Sequence, residues 1–158
     1  MRVKDIKDEC FQDYHKTHML ICTIDCDWKC FSRGEKNICQ NSHLVKQPTI
    51  YIDNKELFNR YINNPISKSI VVGGLEPFKQ YNELLSLITC FRINGCLDDI
   101  IIYTGYTEEE LEKEIKRLQL YKNIIIKFGR YIPNNKSIFD KVLGVELASS
   151  NQYAKRIS

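Results

Sequence analysis

Three cysteines, Cys26, Cys30 and Cys39, stand in a polar stretch directly after the apolar run Met19–Ile24. Their spacing is C-x3-C-x8-C, and Asn41 lies two residues beyond the last. Thiolates gathered in this way bind soft metals or iron–sulfur centres. Two chemistries fit. His43 follows Cys39 at C-x3-H spacing and supplies the fourth ligand of a tetrahedral zinc site. Alternatively, three thiolates hold an iron–sulfur cluster and leave one iron open to a substrate. Spacing alone leaves both readings open, beside a plain structural role for the thiols. Cys22 precedes Cys26 at the same interval as Cys26 precedes Cys30, but its place in an apolar run marks it as a buried strand residue. Cys10, Cys90 and Cys96 are isolated and suit small core hydrophobes.

A second candidate is Gly73-Gly74-Leu75-Glu76-Pro77. A glycine pair directly after a strand lets backbone approach a ligand closely, although turns use such pairs constantly. Glu76 adds a carboxylate, which reads equally as a solvated residue before the proline that opens a helix.

The elements that must position these residues alternate. Ser69–Val72, Ile100–Tyr103 and Asn123–Lys127 are short β-branched runs of the kind buried on both faces of a parallel sheet. Three amphipathic helices lie between them. Asp53 caps the first, with Glu56 as capping-box partner and Leu57, Phe58, Tyr61 and Ile62 as its apolar face. The second runs from about Lys79 to Asn94, with Tyr81, Leu84, Leu85, Ile88 and Phe91 inward and Gly95 as its stop. Thr107 and Glu110 box the third, whose inner face is Leu111, Ile115, Leu118 and Tyr121. A last strand is expected near Val142–Ala148, and Phe31–Gln47 and Pro133–Lys136 read as loops. The whole predicts a single α/β domain over residues 1–158, its strands joined by right-handed helical crossovers. In such folds ligands sit at the carboxyl ends of the strands. The cysteine loop, Gly73–Pro77, Thr104-Gly105-Tyr106, Gly129-Arg130 and Ser149-Ser150-Asn151-Gln152 all fall on that rim.

Composition excludes several classes. With 43% apolar and 27% charged residues the chain is an ordinary globular one. A net charge of +3, without a basic run, gives no reason to expect nucleic acid. The first 18 residues are charged throughout and no apolar run can span a bilayer, so the expectation is no membrane and a cytoplasmic location. Seven cysteines, an odd number without secretory context, argue for reduced thiols rather than a disulfide framework.

Taken together, Cys26-x3-Cys30…Cys39-Gln40-Asn41, Gly73-Gly74-x-Glu76-Pro77, Ile102-Tyr103-Thr104-Gly105-Tyr106 and Ser149-Ser150-Asn151-Gln152 resemble the activating proteins of anaerobic ribonucleoside-triphosphate reductase. These are small radical S-adenosylmethionine enzymes, and the resemblance runs in order from about Met19 to Ile157. It implies a partial (β/α) barrel of radical SAM type, a mostly parallel sheet with outer helices. It further implies a 4Fe-4S cluster on Cys26, Cys30 and Cys39, with its fourth iron chelated by S-adenosyl-L-methionine. By the same resemblance Ile38 and Gln40 meet the nucleoside, Gly73 and Gly74 receive the methionyl amino group, and Glu76 is the acidic residue of that motif. The implied partners are a reduced electron donor and a glycyl-radical protein, the anaerobic reductase. Three features depart from the pattern: the stretched C-x8-C spacing, Leu75 inserted before Glu76, and Lys127-Phe128-Gly129-Arg130 where the family tends to carry aspartate-glycine.

Overall fold

The computed structural model describes residues 1–31 and 39–158. In chain order the strands are β1 (Arg2–Val3), β2 (Asp5–Cys10), β3 (His18–Cys22), β4 (Ile50–Tyr51), β5 (Ser69–Gly73), β6 (Asp99–Tyr103), β7 (Ile124–Phe128), β8 (Ile138–Asp140), β9 (Val145–Leu147) and β10 (Tyr153–Arg156). The helices are α1 (Ser42–Val45), α2 (Asn54–Ile62), α3 (Tyr81–Ile93) and α4 (Glu112–Leu118). Six strands form one mixed sheet in the order β10-β7-β6-β5-β3-β2. Its centre, β3-β5-β6-β7, is parallel, and β2 and β10 flank it antiparallel. β1 pairs with β4, and β8 with β9, in two small antiparallel ribbons.

The β-branched runs become the parallel core because both of their faces are covered. β5 and β7 are buried at every position, and β6 at all but Tyr103. Alternate residues divide between two layers. On one side Ile70, Val72, Ile100, Ile102, Ile124 and Ile126 pack beneath Leu57, Tyr61, Leu84, Leu87, Ile88, Phe91 and Leu118 of the helices. Crossovers of one hand between neighbouring parallel strands must stack their helices on one face in this way. Phe91 anchors that layer, edge-on to Phe58 at 5.4 Å and against Tyr61 at 5.6 Å. On the other side Val71, Ile101 and Ile125 meet Tyr14, Leu143, Leu147 and Ala154. This second layer is thinner, and it leaves the carboxyl half of the sheet open to a cavity.

Capping chemistry sets the helix starts. Asp53 accepts from Lys55 N–H at 2.7 Å, but the expected box bond from Glu56 is not formed among the described residues. The Thr107–Glu110 box does form: Thr107 N–H donates to Glu110 Oε2 at 2.9 Å and Glu110 N–H to Thr107 Oγ1 at 3.4 Å. Its helix begins as a 3-10 turn, Glu109–Leu111, before α4 proper. The second helix likewise opens with a 3-10 turn at Pro77–Gln80, and Gly95 ends its turn at φ +83°.

Several expectations are corrected. Ile62, assigned to the inner face of α2, is 53% exposed, whereas Leu87, left off the α3 stripe, is fully buried. The strand expected over Val142–Ala148 is the short β9, which belongs to a ribbon outside the main sheet. The strand that ends the sheet is β10, antiparallel to β7 with Tyr153 opposite Phe128. The charged amino-terminal stretch, read without any element, contains the edge strand β2. Within the expected loop 31–47 lies the short helix α1. No helix among the described residues is long and apolar enough to cross a membrane.

Candidate functional site

At the carboxyl ends of the parallel strands the loops surround a cavity of about 410 Å³, within the range of roughly 300–1,000 Å³ usual for small-ligand sites. Its walls include Cys26, Cys30 and Cys39, the pair Gly73-Gly74, Glu76, Thr104-Gly105, Lys127, Gly129-Arg130 and Gln152. All five rim segments expected from the sequence therefore contribute. Because β10 runs antiparallel, the segment 149–152 enters this rim just before a strand of the main sheet, and the strand it follows, β9, lies outside that sheet.

Backbone hydrogen bonds fix where the cysteine loop leaves the sheet. Thr23 N–H and its Oγ1 both donate to Gly73 O, at 2.8 and 2.9 Å, and Glu76 N–H donates to Asp25 O at 2.7 Å. The exits of β3 and β5 are thereby laced together. Trp28 then takes φ 58°, an uncommon conformation for a bulky residue. Its N–H donates to Cys26 Sγ at 3.4 Å, a bond that favours the thiolate. Burial works the other way and pushes the Cys26 thiol up to about 11. The Cys30 thiol is also raised, first by burial and further by the neighbouring Cys39, against a backbone N–H of Tyr131. All three cysteines are free and half-buried. Cys22 ends β3 and is buried, as its apolar setting implied.

An ion-pair bracket holds the far side of the loop. Arg130 bonds Glu110 with both terminal nitrogens, at 2.9 and 3.0 Å, and reaches Asp27 Oδ2 at 3.3 Å. Its guanidinium stands 5.1 Å from the Tyr106 ring centroid. Its hydrogen bonds to Glu110 hold this guanidinium above its ordinary basicity despite partial burial. Arg130 Nε is buried without an acceptor among the described residues, an N–H that a ligand could satisfy.

The glycine pair is shaped by its neighbours. Gly74 has φ +80°, and a Cβ there would lie 2.8 Å from Cys22 Cβ and 3.0 Å from Leu44 Cδ1. Gly74 O accepts from Asn41 Nδ2 at 2.6 Å, which ties the segment carrying Cys39 to the end of β5. Glu76 is not the solvated residue its position before a proline allowed. It is buried and accepts from Thr104 Oγ1 and Gly105 N–H, both at 2.8 Å, and from Phe78 N–H at 3.1 Å. Burial raises its carboxyl, and these three donors oppose the rise. The carboxylate therefore joins the rims of β5 and β6.

Gln40 is exposed and lines the cavity, while Ile38 lies outside the described residues. His43, the fourth ligand of the zinc reading, is on α1, exposed and also lines the cavity. Among the described residues no three His, Cys, Asp or Glu side chains gather closely enough for a single metal ion. A four-iron cluster spreads its ligands more widely than one ion does, and three thiols lining one cavity with a backbone N–H on Cys26 sulfur are a suitable donor set.

Two functional candidates escaped the sequence: the Asp27–Arg130 link and Lys127. Besides its place in the segment that departs from the family pattern, the signal for Lys127 is its interruption of Ile124-Ile125-Ile126-Lys127-Phe128, since a lysine inside a strand buried at every position needs a reason.

A family model described as the 4Fe-4S single cluster domain matches residues 17–153. The match spans most of the chain, and the protein belongs to this family of iron–sulfur proteins. No curated protein and no solved structure matches it. Of the two chemistries that spacing left open, membership favours iron and sulfide over zinc.

Proposed function

We propose that this protein is a radical S-adenosylmethionine activase, which uses a 4Fe-4S cluster on Cys26, Cys30 and Cys39 to form a glycyl radical on an anaerobic ribonucleotide reductase. One observation carries the reading: the three thiols share a cavity with Gly73-Gly74, Gln40 and the rims of β6 and β7. Four parallel strands in consecutive order, with every long helix on one face, support a partial barrel of radical SAM type. When bound and reduced by one electron, the cluster supplies cleavage of S-adenosylmethionine to methionine and a 5′-deoxyadenosyl radical, which takes a hydrogen atom from a glycine of the partner.

The chain's own residues supply position and shelter. Asn41, latched on Gly74 O, keeps the Cys39 segment against the glycine pair. Gly73 N–H and C=O groups stand at the exit of β5, where Gly73 O is already engaged by Thr23. Glu76 holds the β5 and β6 rims in register, and it serves as a positioning residue because its oxygens face protein donors. Gln40 is the exposed side chain beside Cys39 that is left to meet the nucleoside.

Anaerobic reconstitution followed by reduction with dithionite tests the reading, with 5′-deoxyadenosine measured by chromatography and iron by assay. Wild-type protein is expected to load about four irons and to release 5′-deoxyadenosine. Fully loaded protein that binds no S-adenosylmethionine and releases none of this product would overturn the enzymatic assignment. Asn41→Ala is the informative variant, expected to keep iron and lose affinity for S-adenosylmethionine. Gly74→Val is unsuitable, since its side chain would collide with Cys22 whether or not a ligand binds there.

A further inference from the structure

A buried ammonium without a counter-ion is an unfavourable arrangement, and β7 carries one at Lys127. The residue is 6% exposed. Its Nζ donates to Gly129 O at 3.0 Å and stands 5.6 Å from the Tyr103 ring centroid, and among the described residues it makes no ion pair. Burial pushes its ammonium down to about 8, against the Coulombic pull of Glu76 and, after it, Cys30. Glu76 spends its oxygens on Thr104, Gly105 and Phe78. Gly129 O is shared with Gln152 Nε2 at 3.1 Å, so even the neutral acceptor is divided. The other cations on the cavity wall differ in kind: Arg130 is paired to Glu110 and Asp27, and Lys7 is exposed.

We propose that Lys127 is the fixed cation of this cavity, placed to offset the negative charge of the thiolate-bound 4Fe-4S cluster and thereby to raise its reduction potential. The inference rests on the assignment of Cys26, Cys30 and Cys39 as ligands. Three thiolates leave the oxidised cluster with net negative charge, and the one electron delivered by a low-potential reductant adds another. A nearby cation therefore stabilises the reduced form more than the oxidised one. In a medium of low dielectric that difference is large, and net charge is among the factors that set iron–sulfur potentials. The strand backbone fixes the position of the charge, since β7 is hydrogen-bonded to a neighbour on each side.

The test is an anaerobic redox titration of reconstituted protein followed by electron paramagnetic resonance, with iron content measured on the same samples. Lys127→Met and Lys127→Gln should each load iron like wild type. Each should shift the reduction equilibrium about tenfold toward the oxidised form, which is about 59 mV to more negative potential for one electron. Lys127→Arg, which keeps the charge, should stay near wild type. In cluster-free protein Lys127→Met should melt later, because an uncompensated buried charge has been replaced by an apolar chain of similar length. Fully loaded Met and Gln variants with wild-type potentials would overturn the inference alone, as would a Met variant that melts earlier without the cluster and leaves the potential unmoved. Wild-type protein that takes up no iron would overturn the ligand assignment together with it.

Discussion

The two ends of the same parallel sheet carry polar clusters of opposite character. At the amino end Asp99 begins β6 and is closed upon by its partners. Tyr14 Oη donates to it at 2.9 Å, Lys16 Nζ at 2.7 Å, and Arg156 Nη1 pairs with its other oxygen at 2.8 Å. Every charge there has an answer. At the carboxyl end the thiols of Cys26, Cys30 and Cys39, the ammonium of Lys127 and the Nε of Arg130 face a cavity with incomplete partners. Both clusters are built from residues far apart in sequence, so burial alone does not separate a structural network from a functional one. The difference lies in satisfaction: a closed network fastens the fold, and an open one awaits a ligand.

One variant at each end separates the two networks most forcefully. Cys30→Ala is expected to abolish cluster loading, measured as iron per chain, while leaving the urea midpoint of cluster-free protein nearly unchanged. Asp99→Ala should do the reverse. It strands the buried Tyr14 hydroxyl and releases two half-exposed cations, at a cost of about 2 kcal/mol in urea unfolding, and iron loading should survive. If both variants lose iron, or both lose stability alike, the two ends are not distinct in the sense drawn here.

Acid titration sharpens the contrast. Burial alone would raise Asp99, but the bonds from Lys16, Arg156 and Tyr14 outweigh it and hold the carboxyl below its ordinary value. Its contribution is therefore present above the unfolded value of about 3.9 and is lost as pH falls through the folded one. Glu76 is shifted upward, so its contribution is complete below about 4.3 and is lost as pH rises through its folded value. Urea midpoints measured from about pH 3 to 7 should diverge from wild type in opposite senses for Asp99→Asn and Glu76→Gln. Parallel curves would contradict the assigned directions. The smallest expected effect tests the shoulder of the open end. Thr107→Ala removes one half of the capping box before α4 and should cost about 1 kcal/mol, again read by urea unfolding. A clear loss of iron in that variant would tie α4 to the cavity more firmly than the bracket through Glu110 suggests.

The parallel core was legible because Ser69–Val72, Ile100–Tyr103 and Asn123–Lys127 are β-branched runs bounded by caps and glycines, all local signals. The rim followed from it, since ligand-facing loops of an α/β sheet lie at the carboxyl ends of its strands. What local pattern could not reveal was the sheet's edges. β2 reads Asp-Ile-Lys-Asp-Glu-Cys and β10 reads Tyr-Ala-Lys-Arg, polar sequences that become strands only because a neighbour offers them a hydrogen-bonding edge. The partnerships across the site were equally hidden: Arg130 and Asp27 stand 103 positions apart, and Tyr14 and Asp99 stand 85 apart. Glu76 was visible as a candidate, but two of its three donors, Thr104 and Gly105, belong to a segment 28 and 29 positions away, so whether it faced water or protein could not be told from its neighbours in sequence.

The antiparallel return of β10 has a consequence in time. The segment that seals the cavity, with Gln152 donating to Gly129 O and β10 zipped to β7, follows all four parallel strands in the chain. On the ribosome, Cys26, Cys30 and Cys39 emerge more than a hundred residues before Gln152 and β10. A nascent chain thus exposes its thiols long before this wall of the cavity is in place. If these thiols hold the proposed cluster, its delivery belongs after synthesis of β10, and an oxidant present before then should do more damage than the same oxidant met afterwards.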